Sequence, residues 1–160
     1  MLEFTFVLLP LLAMTFVLLD VAWIIFAKST MAAAVRSGLR VGITMTKTKA
    51  NGTDLTTLVK QSVQGSAGGF LGKLPTDPGW QTIKVHYYDQ GTVLDVCADP
   101  NGNKPGNIMT VSIEGYSLHP LIPRIWGWGQ SVDSSASAVG SIAADRIEPS
   151  RDLPTKGVAP

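Results

Sequence analysis

From Phe4 to Ala27 the chain runs for 24 residues with a single charge, Asp20, and no other feature restricts its fold so strongly. As an α-helix this stretch would extend roughly 36 Å, enough to cross a hydrocarbon core of about 30 Å with some tilt. A helix is also the form in which one isolated segment satisfies its own backbone polar groups in lipid. A cleaved secretory signal would show a basic start, a shorter apolar run and a small-residue cut site, so the segment is expected to stay attached as an anchor. Trp23 and Lys28 near its far end suit the water interface, where an amphipathic ring and a snorkelling ammonium both gain.

The acids are the anomaly. A carboxylate near mid-bilayer costs about 2.5 to 3.5 kcal/mol even on insertion scales, so Asp20 is expected to face a protein helix that supplies a donor. The plainer alternative is that Asp20 lies near the headgroups or is protonated. Glu3 poses the same choice at the other end, between a solvated interfacial acid and a charge that meets a neighbouring subunit's amino terminus. Pro10 removes one backbone donor, which is tolerable beside neighbouring helices.

Beyond Lys28 the helical pattern continues. "STMAAAVRSGLRVGITM" supplies alanines, and Met31, Val35, Leu39 and Ile43 recur every four residues. One helix from Leu2 to about Met45 is expected, lipid-bound first and amphipathic second, roughly 65 Å long. The organisation read from this is an anchor over 1–28, an amphipathic continuation over 29–50, a globular domain over 51–148 and a mobile, proline-rich tail over 149–160. A domain of that size holds one small core.

Within the domain, "NGTDLTTLVKQSVQG" predicts a second helix capped by Thr53 or Asp54, with Leu55, Leu58, Val59 and Val63 on one face and Gly65 at its end. "SAGGFLGKLPTDPG" reads as a linker. "QTIKVHYYD" alternates Ile83, Val85 and Tyr87 against Lys84, His86 and Tyr88, which predicts a strand, and "TVLDVC" predicts a second after a turn at Gln90-Gly91. "NIMTVSIEGYS" and "SVDSSASAVGSIAADR" predict two more, antiparallel to each other, with Gly115 marking a bulge. The expected fold class is α+β: a long amino-terminal helix packed on an antiparallel sheet of three to four strands.

Little points to chemistry. A net charge of +1 with no basic stripe argues against nucleic acid as a partner. Cys97 is the only cysteine and is expected to pack as a small apolar residue; His86 and His119 are read as a surface and a turn residue. No catalytic residue, no metal site and no cofactor are expected. "DPNGN" resembles the start of a calcium loop without its later glutamate and reads as a turn. Gly68, Gly69 and Gly72 lack the lysine-hydroxyl pair of a phosphate loop, and Asn51-Gly52-Thr53 is a glycosylation acceptor pattern only.

Three stretches carry a family likeness. "LEFTFVLLPLL" with the later Asp20, "AVRSGLR" with Arg36, Gly38 and Arg40, and "HPLIPRIWGWG" with Pro120 and Pro123 followed by "VDSSASAV" resemble the TadE-like pseudopilins of bacterial tight-adherence pilus systems. The resemblance implies a pilin-like fold, cutting by a prepilin peptidase, and an inner-membrane anchor with the carboxyl-terminal domain outside the cytoplasm. It implies as partners other pilins or pseudopilins, pilus-assembly membrane proteins and membrane lipid, with a homo-oligomer among the possibilities. It also makes Glu3 the acid that neutralises a neighbour's terminal amine.

The visible charges oppose that orientation. Lys28, Arg36, Arg40, Lys47 and Lys49 follow the span with no acid before Asp54, which by the positive-inside rule alone would keep the carboxyl side in the cytoplasm. The family's orientation is adopted here, because a basic leader removed by the peptidase would restore the asymmetry. Leu121, Ile122, Ile125, Trp126 and Trp128 cluster in one loop and are expected to close the core, or else to meet the membrane interface or a subunit. Two other roles compete with a pseudopilin: a filament subunit, and a tethered extracytoplasmic binding or enzymatic domain.

Overall fold

The computed structural model describes residues 2–118, 137–148 and 152–157. Helix α1 covers Leu2–Thr44, 43 residues, and Pro10 lies inside it. Short helix α2 spans Lys47–Ala50, α3 spans Leu55–Ser66 and α4 spans Pro78–Thr82. Strands β1 (Ile83–Tyr88), β2 (Ile108–Leu118) and β3 (Ser137–Arg146) form one antiparallel sheet in the order β1-β2-β3. The α+β arrangement expected from the sequence is therefore present, with α1 ending one residue from its predicted end.

The core forms where the carboxyl-terminal half of α1 meets α3 and one face of the sheet. Ala27, Met31, Ala34, Val35 and Leu39 make a helical stripe on α1, and Leu55, Val59 and Val63 make one on α3. Ile83, Val85 and Tyr87 point inward from β1, and Met109, Val111 and Ile113 from β2. Asp54 caps α3 by accepting a hydrogen bond from the Thr57 amide at 2.9 Å. Gly115, at φ +70°, sits in the register shift between Ile113 and Tyr116, the bulge its position predicts.

Two expectations need correction. "TVLDVC" is no strand; its ladder pairing with β1 is limited to an isolated bridge between Tyr88 and Asp95, beside the Val96 amide donating to the Tyr87 carbonyl. The Asp89 carboxylate takes the amides of Gly91 and Thr92, and the Asp95 carboxylate takes that of Cys97, so side chains claim donors that a ladder would need. Val93 at φ +54° completes the turn. The glycine-rich linker is packed: Ala67 and Leu71 are buried, and the Gln64 side-chain amide donates to the carbonyls of Leu71 and Leu74. Of the tail read over 149–160, the described residues 152–157 run against α2 and α3. The Leu55 amide donates to the Thr155 carbonyl and the Thr56 amide to the Lys156 carbonyl, while Lys156 itself is buried.

Candidate functional site

Along α1 the sequence creates two environments on one continuous rod. The apolar side chains from Phe4 to Phe26 are largely exposed, whereas from Ala27 onward one face is covered by the domain. This first part is long and apolar enough to cross a membrane, and among the described residues none buries its most apolar stretch. Exposure of so many large side chains is what a segment solvated by lipid, or by other helices, requires.

Asp20 is half-buried and stands three residues before Trp23 and seven before Ala27. At 3.6 residues per turn these share one face, so Asp20 continues the stripe that the domain covers higher up. A helix meeting Asp20 would approach on the domain's side of α1. Glu3 lies in the first turn of α1, and Pro10 is accommodated within the helix without ending it.

At the junction, Trp23 packs on Phe70 with ring centroids 5.4 Å apart and on Phe26 at 6.1 Å. Phe70 comes from the glycine-rich segment after α3, which sequence reading treats as a linker. That segment is cross-linked by hydrogen bonds: the Asp77 carboxylate accepts the amides of Lys73 (2.7 Å) and Leu74 (2.9 Å), and the Gln64 side chain donates to the carbonyls of Leu71 and Leu74. Those two bonds hold the Asp77 carboxyl below the usual carboxylate range. The result is an aromatic collar at the end of the apolar run, with Lys28 exposed just above it and Leu74 exposed beside it. A lone Phe-Leu pair among glycines was the available signal for it.

The segment with Arg36, Gly38 and Arg40 divides its work. Arg36 and Arg40 are exposed, while Gly38 is buried where α1 crosses α3. A Cβ on Gly38 would stand 3.2 Å from the Val59 carbonyl oxygen and overlap a Val63 methyl. Gly38→Ala is accordingly expected to destabilise the domain by about 2 kcal/mol through overpacking, whereas Arg36→Ala and Arg40→Ala stay within about 0.5 kcal/mol; thermal melts of the three variants check this. Pro120, Pro123, Trp126 and Trp128 lie outside the described residues.

A second cluster was not anticipated. His86, on the outer face of β1, places Nδ1 3.2 Å from Asp95 Oδ2 and 3.6 Å from Cys97 Sγ. Burial, then the neighbouring Asp95, push the Cys97 thiol up to about 11. Hydrogen bonds from the Cys97 thiol and amide hold the Asp95 carboxyl low. A nucleophilic cysteine needs the opposite shift.

Comparison with known families finds a match, and it falls on α1 alone. Residues 1–40 match the model of the TadE-like protein family. The match covers the span, both acids, Pro10 and the Arg36-Gly38-Arg40 segment, two of the three stretches that carry the likeness in the sequence. TadE-like proteins belong to the setting of tight-adherence pili. No curated protein and no solved structure matches the chain.

Proposed function

We propose that the chain is a membrane-anchored pseudopilin that takes part in assembling a tight-adherence pilus. The single observation that supports this most is that the TadE-like match begins at the exposed apolar half of α1 and runs on into the part packed on the domain. In this reading α1 crosses the inner membrane once, the sheet domain stands outside the cytoplasm, and the aromatic collar fixes the depth of insertion. Its partners are other pilins or pseudopilins, the pilus-assembly membrane proteins and the prepilin peptidase, and helix packing against them supplies the association energy. Catalysis has no place in this role.

Three measurements test the reading. Removal of the coding sequence should abolish surface pili by electron microscopy, with recovery on re-expression; normal piliation would refute it. Purified filaments should contain this chain at trace level relative to the major pilin. A filament made mainly of this chain would instead identify it as the filament subunit. A periplasmically active reporter fused after Pro160 should be active, and activity only of a cytoplasmic reporter would reverse the orientation.

A further inference from the structure

We infer that His86, Asp95 and Cys97 form a three-ligand binding site for a zinc ion, with the fourth coordination position open to water or to a ligand. The cluster stands where residues 95–97 run beside the edge strand β1, and all three candidate ligand atoms lie within 4.8 Å of one another. Tetrahedral zinc with bonds of about 2.3 Å to sulfur and about 2.0 to 2.2 Å to nitrogen and oxygen separates nitrogen from sulfur by about 3.6 Å and nitrogen from oxygen by about 3.4 Å. The observed separations are 3.6 Å for Nδ1 to Sγ and 3.2 Å for Nδ1 to Oδ2. Two of the three edges of a zinc tripod are already at length.

The surrounding bonds orient the donors as outer-sphere partners do. The Cys97 amide donates to Asp95 Oδ1 at 2.7 Å, which leaves Oδ2 turned towards His86. The Tyr87 amide donates to Cys97 Sγ at 3.2 Å, a bond that would stabilise a thiolate on the metal. All three residues are partly exposed, so an ion has a path in. The ligand types are one borderline nitrogen, one thiolate sulfur and one carboxylate oxygen, a set that suits zinc better than the oxygen-seeking magnesium or calcium. Binding forms the Zn–S bond and releases the thiol proton to solvent; the imidazole coordinates through Nδ1 with its proton on Nε2. No redox change is involved. In the sequence His86 reads as a surface position, Asp95 as part of a strand and Cys97 as a small apolar filler, because strand pairing after the turn at Gln90-Gly91 does not record which side chains converge.

The test uses the full chain in detergent micelles, titrated with cobalt(II) as a spectroscopic stand-in and with zinc directly. One cobalt per chain should give a thiolate-to-metal charge-transfer band that zinc abolishes, and zinc should raise the melting temperature. Cys97→Ser should remove the band, and His86→Gln should weaken zinc binding at least tenfold. Absence of the band in the wild-type chain, or equal zinc affinity in wild type and His86→Gln, would overturn the assignment and leave a hydrogen-bonded cluster only. His86→Gln, being half-exposed, decides the matter if Cys97→Ser does not fold. Since the site needs no pilus, its failure leaves the assembly role intact, and the reverse holds too.

Discussion

Deletion of residues 152–160 is expected to lower the melting temperature of the globular domain by roughly 10 °C, a cost of about 3 kcal/mol. The carbonyls of Asp152, Pro154, Thr155 and Lys156 accept from Lys47, Asn103, Leu55 and Thr56. Asn103, Leu55 and Thr56 are buried, so their donors lose a partner where water enters poorly. Each orphaned donor costs about 1 to 3 kcal/mol before relaxation, and water reaching the first turn of α3 recovers part of that. The Lys156 ammonium adds bonds to the carbonyls of Cys97 and Asp99 and lies 6.0 Å from the Tyr87 ring centre. Lys156→Ala removes only these side-chain bonds and keeps the main-chain ones, so its loss should be about half as large. Circular dichroism melts of the full chain, the deletion and the point variant order the three. A deletion melting with wild type would mean that the strap carries no stability.

That strap illustrates which parts of the fold are legible in the sequence. The long helix, α3 and its cap, β1, β2 and β3 all declare themselves through periodicity, since each buries a face whose spacing is fixed by its own geometry. Residues Asp152 to Gly157 bury through main-chain carbonyls, which every sequence possesses, and through one lysine, which composition marks as surface. No pattern records such a contact. The stretch Thr92 to Cys97 fails for a related reason: "TVLDVC" has strand composition, but the carboxylates of Asp89 and Asp95 hold turns that outcompete ladder pairing. Helix α1 is readable almost to its last residue, because an unbroken apolar run followed by a four-residue repeat is a helical pattern throughout. Gly38 was readable as a motif position and unreadable as a packing one, since its neighbour Val63 is 25 residues away on another helix.

Replacement of Asp20 by leucine should move two observables in opposite directions. Taking a carboxylate out of the apolar run removes an insertion cost of about 2.5 to 3.5 kcal/mol, so the variant should resist carbonate or urea extraction from membranes at least as well as wild type. If the acid is tolerated because neighbouring helices compensate it, the same change should sharply reduce recovery of partner subunits by affinity purification and should abolish pili. Stability of the domain should be untouched, because the core begins at Ala27, two turns further along α1. Asp20→Asn separates charge from hydrogen bonding: it keeps a polar group on the same face and should retain part of the association if a donor from the partner is what Asp20 meets. Glu3→Leu should produce the same assembly defect from the opposite end of the span, where a neighbour's terminal amine is the proposed counter-charge. Coupling can be measured directly. A double variant whose defect is no worse than either single one means that both acids act on one association step, while additive defects mean two contacts. Unchanged co-purification and piliation in the double variant would leave the acids without a role in assembly, and with them the proposed bundling of α1.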